Sequence, residues 1–269
     1  RIFEEASPGI TVGDNLMLDH LHPTREGYFL MADAFYSTIK QSGVVHSARS
    51  IGNHSLAETV KSQWGFTRLD SLYAALNILH LKGGFPFSSA GPNRALQQFT
   101  PRTVEDSVAL QIVRSREITL EMGHLRLANR YKQTGHVDRA YQEYKALYYT
   151  VPYLDLFYEP ALELLMSHER YDQALQMLED AVRFNHSTFI RKWLGQLYLA
   201  MNRTKQGISL LEELRTSGDS DPQMLFNLAR AYYKLDITGA GDRVRAEMER
   251  EYPETPYLHQ LDAFRQPID

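Results

Sequence analysis

The residues best suited to chemistry stand near the start of the chain, in Asp19-His20-Leu21-His22-Pro23, followed by Gly27-Tyr28 and the apolar run Leu30-Met31-Ala32. An aspartate three residues ahead of a histidine can set the tautomer of a neutral imidazole and stabilise its charged form, which a general base in nucleophilic catalysis requires. Asp19 and His22 stand at that spacing; the same residue types also suit a polar turn. No attacking partner stands beside them. His20-x-His22 does not make a metal site, since the chain has no cysteine to join the pair and no His-Glu-x-x-His run, so no metal is expected. No glycine-rich loop leads into Lys-Ser or Lys-Thr, and no cofactor is expected. Zero cysteine also removes disulfides and thiolate chemistry and leaves the compartment open. Asn53-His54-Ser55, Asn185-His186-Ser187 and Asn202-Arg203-Thr204 spell glycosylation acceptors, meaningful only in a eukaryotic secretory setting.

Asp-x-x-His-Pro with Gly-Tyr downstream resembles the closing block of the SGNH (GDSL) esterase and lipase family, over residues 1–40 at most. The resemblance implies that Asp19 and His22 belong to a Ser-His-Asp triad, that Pro23 opens the last helix of an α/β hydrolase domain, and that Leu30, Ala34 and Ile39 bury that helix. In the family the nucleophile and oxyanion donors come much earlier in the chain. Gly218-Asp219-Ser220 has the right letters, but it follows the helical stretch 208–214 and comes after the Asp-His block, so it reads as an interhelical turn. Residues 1–40 are thus expected to be the end of a larger hydrolase, inactive without its serine.

Most of the chain must be organised differently. Aligned on itself, the sequence recurs at about 34 residues. One small-residue column reads Ala140, Ala174, Gly207, Gly241; another reads Ala128, Leu162, Gly195, Ala229; large residues Tyr131, Leu165, Tyr198, Tyr232 form a third. These columns resemble the tetratricopeptide repeat, an array of antiparallel helical pairs. The expected helices are 120–133 with 138–149, 156–167 with 171–184, 189–201 with 205–215, and a fourth pair from Pro222 whose second helix is blurred by Gly239 and Gly241. A capping helix is expected over 257–264, with Leu258, Leu261 and Phe264 facing inward. Pro152 and Pro253 stop units one and four, because proline cannot continue a helix.

Between these parts, Leu69, Leu72, Ala75, Leu76 and Leu79 make a helical stripe after Thr67, ended by Gly83-Gly84. Thr103-Val104-Glu105-Asp106 reads as a helix start. Trp64, Phe66, Phe85 and Phe87 are expected in a core. The fold class is therefore all-α: a superhelix of about four helical pairs at 119–254, a helical connector at 41–118, a short α/β hydrolase remnant at 1–40, and a cap and tail at 255–269.

With 43% hydrophobic residues the chain can bury a sizeable core, no apolar run is long enough to span a bilayer, and a net charge of −4 gives no broad basic field for nucleic acid. The principal activity expected is binding of a protein or peptide. In such arrays the first helices line the inner surface, here Asn129, Lys132, Gln133, Glu159, Glu163, Lys192, Gln196, Arg230, Tyr233 and Lys234, with Leu125 and Met166. Asn129 falls where chaperone-binding tetratricopeptide domains place a carboxylate-clamp asparagine, but Leu125 replaces the usual lysine. The alternative is that a longer parent protein is an active SGNH esterase, lipase or carbohydrate deacetylase with Asp19 and His22 in its Ser-His-Asp triad, the repeats being appended for docking.

Overall fold

The computed structural model describes residues 1–18, 21–43, 60, 64–88, 93–115 and 117–265. The elements of its described residues are helices joined by turns and loops, with a lone antiparallel bridge between Met17 and Pro23. The chain divides into two units, residues 1–127 and 128–269. The division falls inside a helix.

In the first unit, α1 (Ile2–Glu5) packs on α2 (Arg25–Ser42). Thr24 caps α2, its hydroxyl accepting from the Gly27 amide at 3.2 Å. Pro23 therefore lies one residue outside the helix, held in the bridge, and does not open it. Gly27 is the one buried residue of α2, because a Cβ there would stand 2.3 Å from the Leu16 carbonyl oxygen. Ile39 is exposed, as are Tyr28 and Phe35.

Helix α3 (Arg68–Lys82) and α4 (Val104–Arg114) pack together, and each begins with a reciprocal Thr-x-x-Asp capping box: Thr67 with Asp70, Thr103 with Asp106. Such boxes satisfy amide donors that the first helical turn leaves orphaned. Leu69 and Leu76 are buried, whereas Ala75 and Leu79, expected on the same stripe, are exposed. Gly83 does end α3, yet with φ −77°; its lack of a side chain serves close packing, since a Cβ would meet Asn93 Oδ1 at 2.3 Å. The first half of α5 (Leu120–Gln133) joins this unit through Gly123, whose missing Cβ admits Ile112 and Leu69.

The second unit contains the end of α5, then α6 (Val137–Thr150), α7 (Asp155–Ser167), α8 (Tyr171–Ala181), α9 (Thr188–Ala200), α10 (Thr204–Ser217), α11 (Pro222–Lys234), α12 (Thr238–Glu251) and α13 (Tyr257–Arg265). Within pairs the helices run antiparallel: a Cβ on Gly195 would strike Leu211, and one on Gly207 would strike Leu199 and, at 2.8 Å, the Gly195 carbonyl oxygen. The column of small residues thus marks closest approach. Gly241 belongs to it; a Cβ there would enter the Tyr233 ring at 2.5 Å, and α12 is continuous through both glycines that seemed to blur it. Gly218 is a left-handed C-cap of α10 and the Ser220 carbonyl accepts from Tyr252, so Gly218-Asp219-Ser220 is a turn.

The repeat is most visible in the turns. Each pair is joined through one left-handed residue, Gly135, Glu169, Asn202 and Asp236 in succession. The following amide donates back to the carbonyl of Tyr131, Leu165, Tyr198 or Tyr232, at 2.9, 2.9, 2.8 and 3.0 Å. The amides of Ala140, Ala174, Gly207 and Gly241 then close the first turn of the second helix on His136, Arg170, Arg203 and Ile237. One backbone motif of the C-capping kind is therefore repeated four times. Helix α13 covers the last pair, with Leu261 fully buried and Leu258 partly so, but Phe264 is 45% exposed and meets Phe226 edge-on instead of facing inward.

Candidate functional site

The segment around His22 is a tight loop. The Leu18 amide donates to the His22 carbonyl at 2.7 Å, and the Thr24 amide to the Leu16 carbonyl at 2.8 Å. The His22 side chain is exposed, and its neighbours Leu21 and Pro23 line an open concavity of about 860 Å³ with Phe3, Met17, Tyr28 and Met31. Asp14 contributes a carboxylate to this otherwise largely apolar wall. Asp19, with His20, lies outside the described residues, so no Asp19–His22 geometry is stated. Among the described residues no cluster of three or more His, Asp or Glu is placed to hold a metal, and no helix is long and apolar enough to cross a membrane.

On the helical pairs, the candidate surface residues are brought together mainly as bridges between layers. Lys132 of α5 meets Glu163 of α7 at 3.0 Å; Lys192 of α9 reaches the Asp221 carboxylate at 2.9 Å, which also caps α11; Lys234 donates to Asn202 at 3.1 Å. Asn129 accepts from the Tyr144 hydroxyl across the first pair at 3.1 Å, a bond that fixes its side chain against α6. Arg230 lies over the Phe226 and Phe264 rings. Gln133, Glu159 and Glu163 are exposed. Two expected surface residues are interior. Gln196 is buried in α9, and Tyr233 is packed against Gly241 with its hydroxyl donating to Asp242 at 2.9 Å.

Several polar contacts escaped the sequence reading. Tyr198 donates to Glu179, and Tyr232, one period later, donates to Glu212. Burial, reinforced by that carboxylate, pushes Tyr232 up to about 12. Their signal in sequence is the 33- and 34-residue recurrence of Tyr and Glu together. Asn185 donates to Asp155 at 2.9 Å from a buried position, which removes the glycosylation reading there; Asn53 lies outside the described residues. In the first unit, buried His124 meets Asp70 at 3.2 Å. Burial works to raise the Asp70 carboxyl, but the His124 and Thr67 contacts outweigh it and hold it below its ordinary value. The partners are 54 residues apart, and no local pattern announces them. Hydrogen bonds from the Arg102 amide and Thr103, with Arg68, likewise hold Asp106 low despite the opposing cost of burial.

No protein-family model matches the chain, and the comparison with curated proteins gives no match.

Proposed function

We propose that residues 119–254 form a tetratricopeptide-type array whose activity is to bind a protein or peptide on the face of its first helices. The supporting observation is the fourfold recurrence of one interhelical turn, with small residues at the same point of every pair. Helical pairs of this kind bury a core only by stacking on neighbours, and their stacked first helices form a mixed-charge surface suited to recognition rather than an enclosed reaction chamber. A partner captured by the intact chain should be lost from the combined variant Gln133→Glu, Glu159→Lys, Arg230→Glu. It should be kept by Gln142→Glu, Gln176→Lys, Lys205→Glu, three exposed changes on second helices. Equal retention by both variants would refute this reading.

A second reading rests on the exposed His22 beside the apolar concavity. In a longer protein that supplies a serine and oxyanion donors, His22 would act as general base, Asp19 would orient it, and an acyl ester would be hydrolysed. His22→Ala should then lower ester hydrolysis by several orders of magnitude, because triad members act as a unit. Undiminished hydrolysis by that variant would remove the enzymatic reading.

A further inference from the structure

The far end of α3 carries a feature that neither reading uses. Phe85 and Phe87, expected in a core with Trp64 and Phe66, are instead 87% and 64% exposed, and Leu81 beside them is 66% exposed. Trp64 and Phe66 do pack, Trp64 against Phe29 and Phe66. The tip is not a loose loop. The Gly84 amide donates to the Leu81 carbonyl at 3.1 Å, and the amides of Phe87 and Ser88 both return to the Gly84 carbonyl at 3.0 Å. Its base is pinned by Asn93, which donates to the His80 carbonyl at 2.5 Å and accepts from the Ala95 amide at 3.1 Å.

The sequence on either side of this tip is one-signed in charge. Residues 71–104 contain no aspartate or glutamate, in a chain with 33 acidic residues and a net charge of −4, while Lys82 and Arg94 flank the aromatic residues and both are exposed. Asp70, the nearest acid on the same helix, lies twelve residues from Lys82, roughly 18 Å along the axis. Large apolar side chains left in water mark an interaction site. An exposed aromatic tip flanked in sequence by Lys82 and Arg94, within a stretch that has no acidic residue, matches an anionic lipid surface, where aromatic rings sit at the headgroup boundary and Lys and Arg meet lipid phosphates and carboxylates.

We propose that the Leu81–Phe87 tip, with Lys82 and Arg94, docks peripherally on anionic bilayers. The proposal stands independently of the helical array and of His22. It is tested by co-sedimentation of the full chain with phosphatidylcholine vesicles containing about 30% phosphatidylserine, against phosphatidylcholine alone. The intact chain should bind the anionic vesicles in preference, and raised salt should weaken that binding. The double variant Phe85→Ser, Phe87→Ser should bind at least about tenfold more weakly. Lys82→Glu with Arg94→Glu, which leaves the apolar tip intact, should abolish the preference for anionic lipid. Unchanged circular dichroism melting curves confirm that these exposed substitutions leave the fold in place. Failure of the intact chain to bind either vesicle, or equal binding before and after Phe85→Ser, Phe87→Ser, overturns the proposal. A concentration-dependent dimer that Phe85→Ser abolishes, without vesicle binding, also overturns it and assigns the tip to a second copy of the chain.

Discussion

Three of the four interhelical turns put a side chain where glycine would be relaxed: Glu169 at φ 56°, Asn202 at 61° and Asp236 at 58°. The left-handed conformation crowds a Cβ against the following carbonyl, and short polar Asn and Asp tolerate it better than Glu. Glu169→Gly should therefore raise stability by a few tenths to about 1 kcal/mol, part of the relief being offset by the greater freedom of glycine in the unfolded chain. Gly135→Ala should lower it by about 1 kcal/mol although its Cβ would meet nothing within 4 Å, so the cost is conformational. Urea denaturation of the two variants checks both signs. The Asp70 carboxyl, held low by His124 and Thr67 against burial, gives a pH dependence of definite sign. Its contribution is present above the ordinary carboxylate value of 3.8 and is lost as the pH falls through the lower folded-state value. Asp70→Asn should flatten the acid limb of a melting-temperature profile; an unchanged limb would show that other carboxylates govern it.

Helix pairing turns on a few points of contact, and substitutions there should be far costlier than their size suggests. Ala174 is fully buried in the column that also holds Ala140, Gly207 and Gly241. Ala174→Leu should destabilise by about 1 to 3 kcal/mol through overpacking, and Gly207→Ala by a similar amount, because its new methyl would press on a backbone carbonyl that cannot rotate away. Thermal unfolding measures both, and an unchanged melting temperature for either would mean that the pairs do not touch there. Ending the chain before α13 should expose Phe226 and the contacts of Leu261, lowering stability and increasing dye binding to apolar surface. These paired helices were legible in the sequence because spacing records them directly: the expected 120–133 matches α5, and 222 begins α11. The second helix of the last pair was misjudged for a physical reason. Glycine lowers helix propensity, but at position 241 its absent side chain makes room for Tyr233, and tertiary contact overrides the local preference.

For the molecule as a whole, local patterns predicted elements well and surfaces poorly. Tyr233 and Gln196 carry polar groups at positions that periodicity assigns to an outward face, yet contacts from the neighbouring helices enclose them. Phe85 and Phe87 err in the opposite direction: composition alone places aromatic residues in a core, and only the tight turn after α3 shows them held in water. The Asp70–His124 contact depends on segments distant in the chain, so no window of sequence contained it. Whether a residue is buried is a property of its neighbours in space, and a single sequence reports those only where they repeat.

The fourfold turn has an evolutionary consequence. Since each junction is sealed by the same backbone hydrogen bonds and tolerates Gly, Glu, Asn or Asp at its pivot, duplication of one pair between Ala181 and Thr188 would insert a ready-made module without redesigning either flank. Every inserted copy would extend the first-helix face by about 10 Å, the ordinary spacing of packed helices, so the reach of this protein is adjustable in whole steps. Growth at the end is different. With Leu261 buried against the fourth pair, a further pair added directly after it would first have to displace α13.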